Sequence, residues 1–153
     1  MTAISDRLAE LGVTIPTLPA PAGAYVPYAV SGNLVFTAGQ LPFTDGALPA
    51  TGKVGAEVSP EDAKGYARTA VLNALAAVEA AIGSLDRVTR VVKLVGFVAS
   101  DPAFSGQPGV INGASDVLGE IFGDAGVHAR SAVGVSVLPL DSPVELELIV
   151  EFA

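Results

Sequence analysis

Cysteine and tryptophan are absent from this chain, and histidine and methionine occur once each. Without cysteine there can be no disulfide, no thiolate metal site and no thiol nucleophile. That fits a reducing cytoplasm, the expected location, because disulfides do not persist there. Basic residues are also scarce. Eight Lys and Arg stand against sixteen Asp and Glu, for a net charge of −8. The eight (Arg7, Lys53, Lys64, Arg68, Arg87, Arg90, Lys93 and Arg130) are scattered along the chain. A duplex nucleic-acid binder draws most of its affinity from Lys and Arg set against phosphates, so nucleic acid is not an expected partner. The same shortage argues against an anionic membrane surface. No run approaches the roughly 18 apolar residues of a membrane span. The opening stretch MTAISDRLAELG lacks the basic region and apolar core of a secretory leader.

Common chemical motifs are missing too. There is no P-loop, no GxGxxG, no HExxH, no GxSxG and no EF-hand loop. With one histidine and no ligand spacing, a metal site is not expected. A Ser-His-Asp triad would need His128 as its base, and no serine has the strand-to-helix context of a nucleophile.

What the 153 residues do contain is apolar surface: half are hydrophobic and 16% are charged. The mean hydropathy is +0.54. Disordered chains have the opposite balance. The length suits one domain, and the 17 Gly and 11 Pro imply many turns. Ile4, Leu8 and Leu11 space a short amphipathic helix over about 2–11. A stiff connector with Pro16, Pro19 and Pro21 follows, so residues 1–19 are set apart as helix and connector, and 20–153 as a single domain. Runs at 25–30 and 33–38, joined by Ser31-Gly32-Asn33, read as a hairpin. Residues 39–58 are expected to form one long surface loop.

Ser59, Pro60, Glu61 and Asp62 together mark a helix start. Ala67, Val71, Leu75, Val78 and Ile82 continue it as one apolar stripe, and Gly83 closes it. Residues 88–99 read as a strand apolar on both faces. Val110, Ile111, Ala114, Val117, Leu118, Ile121 and Phe122 place a second main helix over about 108–123, in spite of Asn112-Gly113 within it. Two strands, 129–137 and 143–152, complete the chain, with Leu138–Ser142 expected as the hairpin loop between them. In the last, Val144, Leu146, Leu148 and Val150 alternate with Glu145, Glu147, Ile149 and Glu151. The order helix, β, β, α, β, α, β, β predicts an α+β fold with both main helices on one face of a mixed sheet. The apolar content exceeds what two helices can cover, which suggests burial against further copies.

The stretch from His128 to Val135 carries the chemistry. Alternation puts His128, Arg130, Ala132 and Gly134 on one face. An arginine among small neighbours is an anion receptor, because its fork binds a carboxylate through two bonds. The plainer alternative is an ion pair with Glu145 or Glu147 on the adjacent strand.

These residues also carry a resemblance. Gly23-Ala24-Tyr25, the stretch from Gly32 to Pro42 (GNLVFTAGQLP), Asn112, Ala129-Arg130-Ser131, Leu138-Pro139 and Val144-Glu145-Leu146-Glu147 resemble the motifs of the RidA/YjgF family over about residues 20–152. The resemblance implies a chorismate-mutase-like fold assembled as a homotrimer. It implies hydrolysis of reactive 2-imino or enamine acids to 2-keto acids and ammonia, with no metal or other cofactor. Arg130 would clamp the substrate carboxylate and Glu145 would place the attacking water. Main-chain groups at Gly39 and Ala132 would contact substrate or water, Tyr25 would wall the cleft, and Asn112 would belong to the same substrate-contacting set.

His128 stands where the family usually has proline, and Ala132 where it often has cysteine. His128 would add a titratable group to the cleft, so the chain reads as a divergent member. Two other readings remain: a non-catalytic trimer that binds a small carboxylate metabolite, and an RNA-directed activity, which the net charge disfavours.

Burial of a sheet face between copies makes stability depend on mass action. The melting temperature is therefore expected to rise with protein concentration in a dilution series followed by circular dichroism. A flat series would count against a dissociating oligomer.

Overall fold

The computed structural model describes residues 3–18 and 24–153. Pro19, Pro21 and Gly23 lie outside the described residues. The elements are α1 (Ile4–Leu11), β1 (Tyr28–Ser31), β2 (Leu34–Thr37), α2 (Pro60–Ile82), β3 (Val88–Ala99), α3 (Gln107–Phe122), β4 (Ala129–Val135) and β5 (Val144–Phe152). This is the order that the apolar periodicity predicts. No helix among the described residues is long and apolar enough to cross a membrane.

Local chemistry explains the boundaries. The hydroxyl of Ser59 accepts from the Asp62 amide, and Pro60 opens α2 where no amide partner is needed. Gly32 has φ of 59° at the first position of the two-residue turn joining β1 to β2. Type II′ hairpins reserve that position for glycine. Helix α1 starts differently. Ala3 offers no side-chain cap, and Asp86 Oδ1 instead accepts from the amides of Ile4 and Ser5 at 2.6 and 3.2 Å.

The five strands run in the order β1-β2-β5-β3-β4. Helices α2 and α3 cover one face, and Val35, Leu94, Val98, Leu146 and Leu148 are fully buried beneath them. All five stripe residues of α2 and all seven predicted core residues of α3 are buried. Burying each Leu or Val contributes about 1.5–3 kcal/mol.

Two expectations need correction. Leu138–Ser142 is not a hairpin loop. β4 pairs with β3 in parallel, whereas β5 pairs antiparallel with both β2 and β3. The long strand β3 takes a neighbour on each side, and α3 provides the crossover that a parallel pair requires. Residues 39–58 are not all surface either. Val54 and Val58 reach the core. Backbone bonds from Val54 N to Ala99 O and from Asp101 N to Val54 O stitch Val54 to the end of β3. Two valines among glycines show no periodicity and read as loop.

Leu75→Ala is expected to cost about 2–5 kcal/mol, because it empties a closed site between α2 and the sheet. Ser59→Ala is expected to cost about 1 kcal/mol through the lost cap. Urea unfolding at constant m-value measures both.

Candidate functional site

The sheet separates the candidate residues into two groups. On β4, Arg130 and Ala132 lie beside Leu94 and Gly96 of β3, on the helix-covered face at the sheet edge. On β5, Glu145 and Glu147 lie beside Phe97 and Val95, on the open face. Within one chain Arg130 therefore meets neither glutamate, and the ion pair considered from sequence does not form.

Arg130 is half-buried against α3. Its Nη1 donates to Asn112 Oδ1 at 2.7 Å and to Ser115 Oγ at 3.2 Å. Asn112 and Ser115 are three residues apart, so they share one face of α3. Among the described residues the Nε and Nη2 groups of Arg130 have no acceptor, and no carboxylate pairs with it. A guanidinium held at one end, with its Nε–Nη2 edge free, is preorganised for a planar anion such as a carboxylate.

His128 lies just before β4 and belongs to the same cluster. Its Nε2 is 2.9 Å from Ser115 Oγ, and its Nδ1 is 2.6 Å from the Gly126 carbonyl. Both ring nitrogens are thus engaged within the chain. Ser115 was not singled out from sequence. The signal was available, since a serine at i+3 from Asn112 interrupts the apolar surface of α3.

On the open face, Gly39 is held against β5. Gln40 exchanges backbone bonds with Leu146 at 2.7 and 3.0 Å, which extends the pairing beyond β2. A Cβ on Gly39 would overlap Glu145 Oε1. The absence of a side chain there is what makes room for the carboxylate. Burial and the neighbouring Glu147 charge push the Glu145 carboxyl above its ordinary range. Tyr25 is 62% exposed ahead of β1. The structure thus brings Arg130, Asn112, His128 and Ala132 together, and separately Gly39 and Glu145. The open face also carries apolar side chains, with Phe36 38% and Val133 44% exposed beside Val95, Phe97 and Ile149.

A pocket of about 630 Å³ lies elsewhere, between Ile15–Leu18, Gln40–Gly46 and Asn73. Neither Arg130 nor Glu145 lines it. Among the described residues no cluster of His, Asp and Glu could hold a metal ion.

A five-stranded mixed sheet with helices on one face, an anion-receptive arginine on its edge strand and carboxylates on its bare face define a class of small α+β protein. The chain belongs to the YjgF family: residues 5–152 match the family model described as "YjgF/chorismate mutase-like, putative endoribonuclease". It is 43% identical to Protein TCP17 of Trypanosoma cruzi, over 97% of this chain and 93% of that one. It is 45% identical to the solved protein Atu1372 of Agrobacterium tumefaciens, with a TM-score of 0.91 over 98% of this chain and 92% of that one. The structure of E. coli TdcF with bound serine is 28% identical, with a TM-score of 0.66 over 89% of this chain and 94% of that one.

The raised Glu145 carboxyl has a signed consequence. The fold holds the proton more tightly than the unfolded chain does, so this group's contribution to stability is present below its unfolded pKa. It is lost as pH rises through the folded value. Glu145→Gln is therefore expected to raise the melting temperature at neutral pH, with the difference closing in acid. The reverse result would fit a cation from outside the chain beside Glu145. Gly39→Ala should displace the carboxylate and weaken any step that uses it.

Proposed function

We propose that the protein is a hydrolytic deaminase of reactive 2-imino and enamine acids, working as a homotrimer whose site is completed between copies. The observation that carries this reading is Arg130, a half-buried guanidinium with its Nε–Nη2 edge free and no carboxylate partner among the described residues. TdcF, a relative with bound serine, holds a small molecule that bears a carboxylate. The reaction balances simply. Water adds across the C=N bond of a 2-iminium acid, and the carbinolamine collapses to a 2-keto acid and ammonium. Arg130 would bind the carboxylate, with the backbone of Ala132 next to it on the strand. Glu145 would hold the attacking water against the substrate, beside the backbone of Gly39. A carboxylate beside that water acts as general base, and such help is worth about 10²–10⁴-fold. Imines already hydrolyse in water, so orientation and one placed base are enough.

The opposite faces of Arg130 and Glu145 support a site shared between copies. Seating the Arg130 edge of one copy against the open face of another brings the two groups together. It also covers Phe36, Val133 and their apolar neighbours, which a single chain leaves bare. The open face sets Glu145, Glu147 and Glu151 against Arg90 and Lys93, and with a net charge of −8 the chain disfavours phosphate and with it an RNA substrate.

Freshly generated 2-imino acids, made in situ by an amino-acid oxidase, provide the test. Wild type is expected to speed ammonia release. Arg130→Ala should lose this through KM, and Glu145→Gln through kcat. Refolding the two variants together should restore part of the activity, since a mixed assembly contains sites with one intact residue from each copy. Carboxylate binding without any ammonia release, in wild type and in Glu145→Gln alike, would instead favour a non-catalytic binding trimer.

A further inference from the structure

We infer that His128 is a positioning residue, which acts through Ser115 to orient the Arg130 guanidinium rather than touching the ligand itself. Its effect on turnover rests on the deaminase reading above; the hydrogen-bond relay does not.

The relay follows from donor and acceptor chemistry. The Gly126 carbonyl can only accept, so the His128 nitrogen 2.6 Å from it, Nδ1, carries the hydrogen. In the neutral ring Nε2 is then a bare acceptor, and the Ser115 hydroxyl at 2.9 Å donates to it. With its hydrogen committed to His128, Ser115 turns its lone pairs to Arg130 Nη1 at 3.2 Å. Asn112 Oδ1 takes the same Nη1 group at 2.7 Å. Two acceptors on α3 therefore grip one end of the guanidinium, and the Nε–Nη2 edge faces away from them. A free hydroxyl rotor would not hold this arrangement, and His128 removes that freedom.

Protonation of His128 reverses the pattern. Nε2 becomes a donor, so two cationic groups compete for one serine oxygen. The other charged groups on the elements around His128 are Asp116 and Glu120 on α3, Asp124 on the turn before it, and Arg90 and Lys93 on β3. Asp116 and Glu120 are paired with Lys64 and Arg68 of α2 at 3.6 and 3.5 Å. Arg130 is thus the charge that shares a hydrogen-bond partner with the ring. Acidification is expected to loosen the carboxylate clamp.

His128 is the one histidine in the chain, so its ring signals in a ¹⁵N NMR spectrum of the full-length protein are unambiguous. The neutral ring is expected as the Nδ1–H tautomer. The Arg130 Nε–H resonance should shift as His128 titrates, and Ser115→Ala should abolish that shift while His128 still titrates. An Nε2–H tautomer, or an Arg130 signal indifferent to the titration in wild type, would overturn the relay. In turnover, KM should rise as pH falls through the midpoint read by NMR, with kcat little changed. His128→Ala should raise KM on the order of tenfold, the equivalent of one well-placed hydrogen bond to a charged group. His128→Gln should recover much of that loss and remove the pH dependence, because its amide oxygen can accept from Ser115. A pH-independent KM in wild type would count against the inference. Should wild type release no ammonia, the deaminase reading fails, and the tautomer and the coupling of the two signals still decide the relay.

Discussion

Successive residues of a strand point to opposite faces of its sheet, and this alternation governs both stability and chemistry here. In β5 it sends Val144, Leu146, Leu148 and Val150 under the helices, and Glu145 and Glu147 to the bare side. A slip of one residue would exchange the two sets and drive carboxylates into the dry layer. The register that builds the core is therefore the register that aims the acid. It extends through β3 to β4, where the same count puts Arg130 on the other side. No movement of side chains can bring the arginine and the glutamates of one chain together across a continuous sheet.

A half-buried cation without a counter-ion is costly to maintain. Asn112 and Ser115 offset part of the desolvation, and they do so from one end only. An anion bound at the free edge would relieve the remaining cost, so binding there would recover what folding gave up. Ala132 and Gly134, which follow Arg130 on the same strand face, are small and leave that side open. Glu145 shows the matching arrangement on the other face. It sits where burial and a like charge both disfavour ionisation, in space that exists because residue 39 lacks a side chain.

The parts of the structure that were legible in the sequence were those written locally. The α2 stripe from Ala67 to Ile82, its Ser59 cap and the alternation of β5 all state their environment within a few residues. Strand order was not legible, because pairing between β5 and β2 joins positions more than a hundred residues apart. The apparent β4–β5 hairpin was the natural error: chain neighbours usually pair, and here β5 passes to the far side of β3. Alternation alone placed His128, Arg130 and Ala132 together. It could not reveal that Ser115 links two of them, because a helix serine has many ordinary uses. The separation of Arg130 from Glu145 needed the parity of three strands at once.

Helix α1 has one further consequence, which concerns time rather than space. Its eight residues are too few to hold a helix in water alone. The group that caps its first turn is Asp86, some eighty positions downstream. Synthesis runs from the N-terminus, so α1 leaves the ribosome long before its cap exists. A segment made before Asp86 thus waits for its cap, which exists only once the corner between α2 and β3 has formed beneath it.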